Sequence, residues 1–137
     1  MFTSNGGYGA MANAMSGAKM RYQTVDVESQ IEGASPHRLI GILFEELMKA
    51  IDIMTAAQRA GNRVKMIDKQ GRASTILLAL ETSLDFEKGG ELAINLAQVY
   101  RECRRLVLQG GRGNDPESIE KARGYLSGIV EAWQQIA

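Results

Sequence analysis

From position 35 onward, apolar side chains recur every three or four residues. The first run is Leu39, Ile40, Leu43, Phe44, Leu47, Met48, Ile51 and Met54, the period of an amphipathic helix. It opens on Ser35-Pro36, a hydroxyl that can accept from an orphan backbone N–H followed by a residue preset for the first helical position. Gly61-Asn62 closes it, and Asn62 is a cap for the next helix. The second run carries Met66, Ile67, Ala73, Ile76, Leu77, Leu80 and Leu84, with a stop at Gly89-Gly90. Gly71 inside it costs about 1 kcal/mol relative to Ala. The third run, Leu92, Leu96, Val99, Cys103 and Leu106, ends at Gly110-Gly111 and Gly113. The fourth begins at Asp115-Pro116 and places Ile119, Ala122, Leu126, Ile129, Trp133 and Ile136 alternately three and four apart.

No stretch alternates as a strand does. Four helices of similar length joined by short, glycine-rich turns favour antiparallel neighbours. The predicted fold is all-α, an up-down-up-down four-helix bundle with an N-terminal strap or short cap helix. The strap precedes Gly33 and holds Tyr22, Val25, Val27 and Ile31. Residues 1–20 are rich in Gly and Met, have Lys19 as their single charge and show no period, which predicts a flexible arm. Residues 21–137 then form one bundle domain.

Charge and rare residues exclude several functions. Sixteen Lys and Arg balance sixteen Asp and Glu in 137 residues, so the basic surplus of a nucleic-acid binder is missing. The apolar runs are too short to span a membrane, and the N-terminus does not read as a secretory signal. One cysteine, Cys103, cannot form an internal disulfide, which points to the reducing cytoplasm. One histidine, His37, leaves two-His zinc and iron sites unfilled, so no metal or cofactor is expected. An all-carboxylate magnesium site is the one metal option left open.

Catalysis finds little support. His37 lies two residues into a helix beside Pro36 and Arg38, a surface residue rather than a mid-helix phosphorelay histidine. Cys103 takes a seam position, where a free thiol behaves as a small hydrophobe. Glu45 and Glu46 diverge by about 100° and read as a solvated face. Gly110-Gly111-Arg112-Gly113 follows a helix and lacks the Lys-Ser/Thr of a phosphate loop. The chain is not expected to be an enzyme.

Binding finds more. Leu39 to Met48 cover roughly half the circumference of helix one, whereas the apolar arc of helix four spans about 120° and a bundle stripe needs little over 100°. Ile42 and Ile53 fall beyond that arc, and Ile94 lies off the seam of helix three. This surplus is covered by the strap or offered to a partner. A movable strap over a groove serves both, keeping an empty helix-binding site soluble.

Tyr22-Gln23-Thr24-Val25 followed by Ala34-Ser35-Pro36-His37-Arg38-Leu39, then Leu84-Asp85-Phe86-Glu87-Lys88-Gly89-Gly90-Glu91-Leu92-Ala93 with Asn95, Leu96 and Tyr100, then Asn114-Asp115-Pro116 with Trp133, resemble in order and spacing the FliS family of flagellar export chaperones. The resemblance spans about residues 20 to 137; Gly71 and the long Met- and Gly-rich arm depart from it. It implies a cytoplasmic export chaperone that binds the disordered C-terminal segment of flagellin, prevents premature polymerisation and delivers the cargo to a gate component of the flagellar type III export apparatus. It further implies strap residues Tyr22, Val25 and Ile31 and groove residues Leu39, Ile42, Leu43, Leu92, Asn95, Leu96 and Tyr100. The alternatives are a self-associating structural bundle, with weak homodimers when empty, and a histidine phosphotransfer bundle using His37.

Overall fold

The computed structural model describes residues 10, 11 and 33–136. Four long helices account for most of them: α1 (Pro36–Arg59), α2 (Arg63–Thr82), α3 (Phe86–Arg112) and α4 (Pro116–Gln134). Each begins where a short polar side chain accepts from an N–H that the helix itself leaves unpaired. Ser35 accepts from the Arg38 amide at 3.1 Å, Asn62 from Lys65 at 3.1 Å and Asp115 from Glu117 at 3.2 Å. These are the three starts expected from the sequence.

The α2–α3 junction differs from that expectation. α2 ends at Thr82, Ser83 caps it, and Leu84 lies in the turn. Asp85 starts α3 by accepting from the Lys88 amide at 3.0 Å. The Gly89-Gly90 break therefore falls inside the first turns of α3, where Gly90 adopts φ 53° and ψ −131° and kinks the helix. A carboxylate cap outweighed the glycine pair as a boundary signal.

The helices form a closed ring in which each packs on its neighbours in sequence and α1 also packs on α4. Short loops leave consecutive helices antiparallel, the predicted four-helix bundle. Ion pairs mark three seams. Glu46 of α1 meets Arg72 of α2 at 3.5 Å, Glu81 of α2 meets Arg101 and Arg104 of α3 at 2.7 and 2.8 Å, and Asp52 of α1 meets Arg123 of α4 at 2.7 Å.

One apolar cluster fills the ring, with Phe44, Leu47, Ile51, Ile76, Leu77, Tyr100 and Leu126 essentially without solvent contact. Near its end α3 comes so close to its neighbours that a Cβ at Gly110 would collide with Ile119 of α4, and one at Gly111 with Gln70 of α2. Ala10 and Met11 are helical, and Met11, from the stretch read as an arm, is buried in the core. An unbranched thioether suits such gap filling.

Candidate functional site

Burial separates the predicted groove residues into two groups. Leu39, Ile42, Leu43, Leu96 and Tyr100 are buried in the core, Leu92 is half-buried, and Asn95 is exposed. Tyr22, Val25 and Ile31 lie outside the described residues.

Ile42 is the instructive case, since it is fully buried rather than spare surface. Glu46 lies one turn beyond it, and Glu46 reaches Arg72 of α2. The edge of α1 that carries Ile42 is therefore the α1–α2 seam. Ile53, further along the same edge, is half-buried beside Ala56, Ala57 and Ala60. A helix with a packed neighbour on each side needs a wider apolar arc than a two-helix stripe, and α1 uses its surplus that way.

The exposed apolar surface lies instead on the flanks of α3. Ile67 and Leu78 of α2 and Ile94 of α3 are 49%, 47% and 48% exposed, and Phe86 at the start of α3 is as open. The Glu81 bridges to Arg101 and Arg104 fix which edges face each other. Leu78 and Ile67 lie three and fourteen residues before Glu81, nearly whole turns, so they share its edge of α2. Ile94 lies seven residues before Arg101, on the matching edge of α3. Val64 and Gly71 continue the outward stripe of α2, and a Cβ at Gly71 would meet open space. The result is a set of exposed apolar side chains on the outer face beside the α2–α3 seam.

The other flank of α3 faces α4. Gln109 donates to the Ser118 hydroxyl at 3.2 Å, and the Cys103 thiol to the Ala122 carbonyl at 3.7 Å. Leu92 and Val99 lie eleven and four residues before Cys103, and Asn95 fourteen before Gln109, so all three share that edge. Across from them Tyr125 is exposed and Ile129 half-buried, seven and eleven residues after Ser118. Of the predicted groove residues, the fold gathers Leu92 and Asn95 on this flank.

Sequence reasoning flagged Ile94 but missed Val64, Leu78, Phe86 and Tyr125 and counted Ile67 with the buried period. The available signal was that Val64, Ile67, Gly71 and Leu78 repeat at helical spacing opposite Met66, Ala73, Leu77 and Leu80.

The remaining chemistry is structural. His37 is half-buried and held by Trp133 rather than standing free on the surface: its Nε2 donates to the Trp133 carbonyl at 3.0 Å, and the indole Nε1 donates to the His37 carbonyl at 3.1 Å. Burial, with the Glu102 charge behind it, pushes the Cys103 thiol up to about 12, which suppresses the thiolate needed for reactivity. The Ser118 hydroxyl, donating at 2.9 Å, holds the Asp115 carboxyl below its usual range. Among the described residues no three of His, Cys, Asp and Glu gather as a metal site, and no helix is long and apolar enough to cross a membrane.

Residues 18–137 match the family described as flagellar protein FliS. The chain is 40% identical over 117 residues to the flagellar secretion chaperone FliS of Salmonella typhimurium, covering 85% of this chain and 87% of that protein. It is 31% identical over 122 residues to the flagellar secretion chaperone FliS of Vibrio cholerae, covering 89% and 90%. It is also 30% identical over 123 residues to the flagellar secretion chaperone FliSB of Pseudomonas aeruginosa, covering 88% and 95%.

Proposed function

The chain belongs to the FliS family of flagellar secretion chaperones, and from that membership we propose that its cargo is the disordered C-terminal segment of flagellin, held along the flanks of α3. The observation that carries this reading is the exposure of Ile67, Leu78, Phe86 and Ile94 on a bundle whose core is already filled. A segment that folds on binding loses conformational entropy, so it needs a long apolar surface to reach useful affinity. The exposed apolar side chains on the two flanks of α3 supply one.

Covering the segment's apolar face prevents premature polymerisation in the cytoplasm. Handover to a gate component of the flagellar type III export apparatus then proceeds through competing contacts at that gate. Leu92 and Asn95 belong to the α4 side of this surface. Tyr22, Val25 and Ile31 are its strap, closing part of the site when it is empty and lowering apparent affinity by the fraction of time it stays closed. No catalytic step, cofactor or nucleic acid takes part.

Gel filtration of the protein mixed with a flagellin C-terminal segment tests the reading. A stable one-to-one complex is expected. Concentration-dependent self-association without co-elution contradicts it and favours a structural bundle.

A further inference from the structure

Phe86 and Ile94 are each 48% exposed and stand four residues to either side of Gly90. The contacts between α2 and α3 fix where the chain turns back. Glu81 meets Arg101 and Arg104, and Gln70 lies against Gly111. Residues that face each other on antiparallel limbs stand about equally far from the reversal, which places it beside Gly90 rather than at residues 83–85. The break inside α3 is thus the fold-back itself. Gly90 has φ 53° and ψ −131°, the mirror image of extended backbone, which glycine alone adopts readily. A Cβ there would meet open space, so conformation and not room calls for glycine. In an unbroken helix Phe86 would lie seven, eleven and fourteen residues before Ala93, Ala97 and Tyr100, on their buried edge. It would also lie about 12 Å along the axis from Ile94. The fold-back instead turns Phe86 outward and sets it near the level of Ile94, one on each limb. The turn that carries Phe86 is anchored on its α2 side, where Asp85 accepts from the Lys88 amide at 3.0 Å and the buried Ser83 hydroxyl donates to the Leu80 carbonyl at 2.8 Å.

We propose that Phe86 and Ile94 act as one paired anchor for the apolar face of the cargo segment, and that Gly90 is the positioning residue that pairs them. The proposal deepens the cargo-binding reading and rests on it. Neighbouring apolar anchors bind as a unit, because each keeps water from the other's contact. Gly90 touches no cargo in this account. It acts through its backbone alone, since an L-residue there resists the positive φ and swings the Phe86 turn away from Ile94.

The test titrates a flagellin C-terminal segment into the full chain and its variants, with melting temperatures taken in parallel. Phe86→Ala and Ile94→Ala, both at exposed positions, should each weaken binding about tenfold. Together they should lose clearly less than the roughly hundredfold of two independent contacts. Gly90→Ala should weaken binding as much as Phe86→Ala does, and adding Phe86→Ala to it should cost nothing more. Gly90→D-Ala, introduced by chemical ligation, takes up the mirror-image backbone without strain and should bind like the wild type, which keeps the test open if the L-Ala variant does not fold. Losses at 86 and 94 that simply multiply, wild-type affinity in a folded Gly90→Ala variant, or weakened binding by the D-Ala protein overturns the proposal. A wild type that binds the segment while the changes at 86 and 94 are silent sinks the paired anchor alone. A wild type that does not bind the segment sinks the cargo reading and the anchor with it.

Discussion

The imidazole of His37 stacks on the indole of Trp133, ring centroids 4.8 Å apart and planes 18° apart, while the two residues exchange hydrogen bonds in both directions. The pair joins the first turn of α1 to the last turn of α4, at the opposite end of that seam from the Asp52–Arg123 ion pair. It also gives the Trp133 carbonyl, which accepts from the Ile136 amide at 3.1 Å, a second donor. Phe44 meets the same indole edge-on at 6.4 Å.

His37→Ala is therefore expected to lower stability by about 1–2 kcal/mol through the lost hydrogen bond and stacking, and to leave cargo affinity unchanged. Urea unfolding and a binding titration check both parts. Lost chaperone activity at unchanged stability would revive the phosphotransfer alternative.

The helical glycines separate by their surroundings. Gly110→Ala drives a methyl into Ile119 and within 3.0 Å of the Asp115 carbonyl, so it is expected to cost about 1–3 kcal/mol. Gly124 and Gly128 on α4 face open space, and Ala at either is expected to add about 0.5–1 kcal/mol. Thermal melts of the three variants should place them on opposite sides of the wild type.

Ile42→Ala is expected to cost about 2–5 kcal/mol, as for a core cavity, because the α1–α2 seam covers this side chain. Unfolding midpoints decide the point. A loss near zero would return Ile42 to the surface.

Cys103 gives a pH-dependent expectation. Its folded-state value is raised from an ordinary 9.0 to about 12, so the folded chain holds a proton that the unfolded chain gives up. Its contribution to stability is intact below about pH 9 and lost as pH rises from there toward 12. Comparing alkaline unfolding of the wild type with that of Cys103→Ser isolates this slope. A thiol reagent at neutral pH should label the native protein only as fast as it opens.

Helix existence and three of the four helix starts were legible in the sequence because Ser35, Asn62 and Asp115 cap locally, within three residues of the N–H groups they satisfy. The α2–α3 boundary was misplaced because two glycines look like a stop, whereas Asp85 had already begun the next helix. The site was only half legible. Periodicity identifies an apolar arc but not how many neighbours will cover it, so the wide arc of α1 looked spare and proved to be seam. On α2, Ile67 fits the apolar count as well as Met66 does, and only the placement of α3 shows which of the two stays in water.

Calorimetric titration of a flagellin C-terminal segment into the wild type and into Leu78→Asp/Ile94→Asp, with melting temperatures taken in parallel, tests the cargo surface most directly. Both side chains are half exposed, so the double variant should melt close to the wild type. Its affinity should fall by about a hundredfold, since each charge set among the apolar contacts must be desolvated by the bound helix. Wild-type affinity in a double variant that melts normally would contradict the placement of cargo on the flanks of α3.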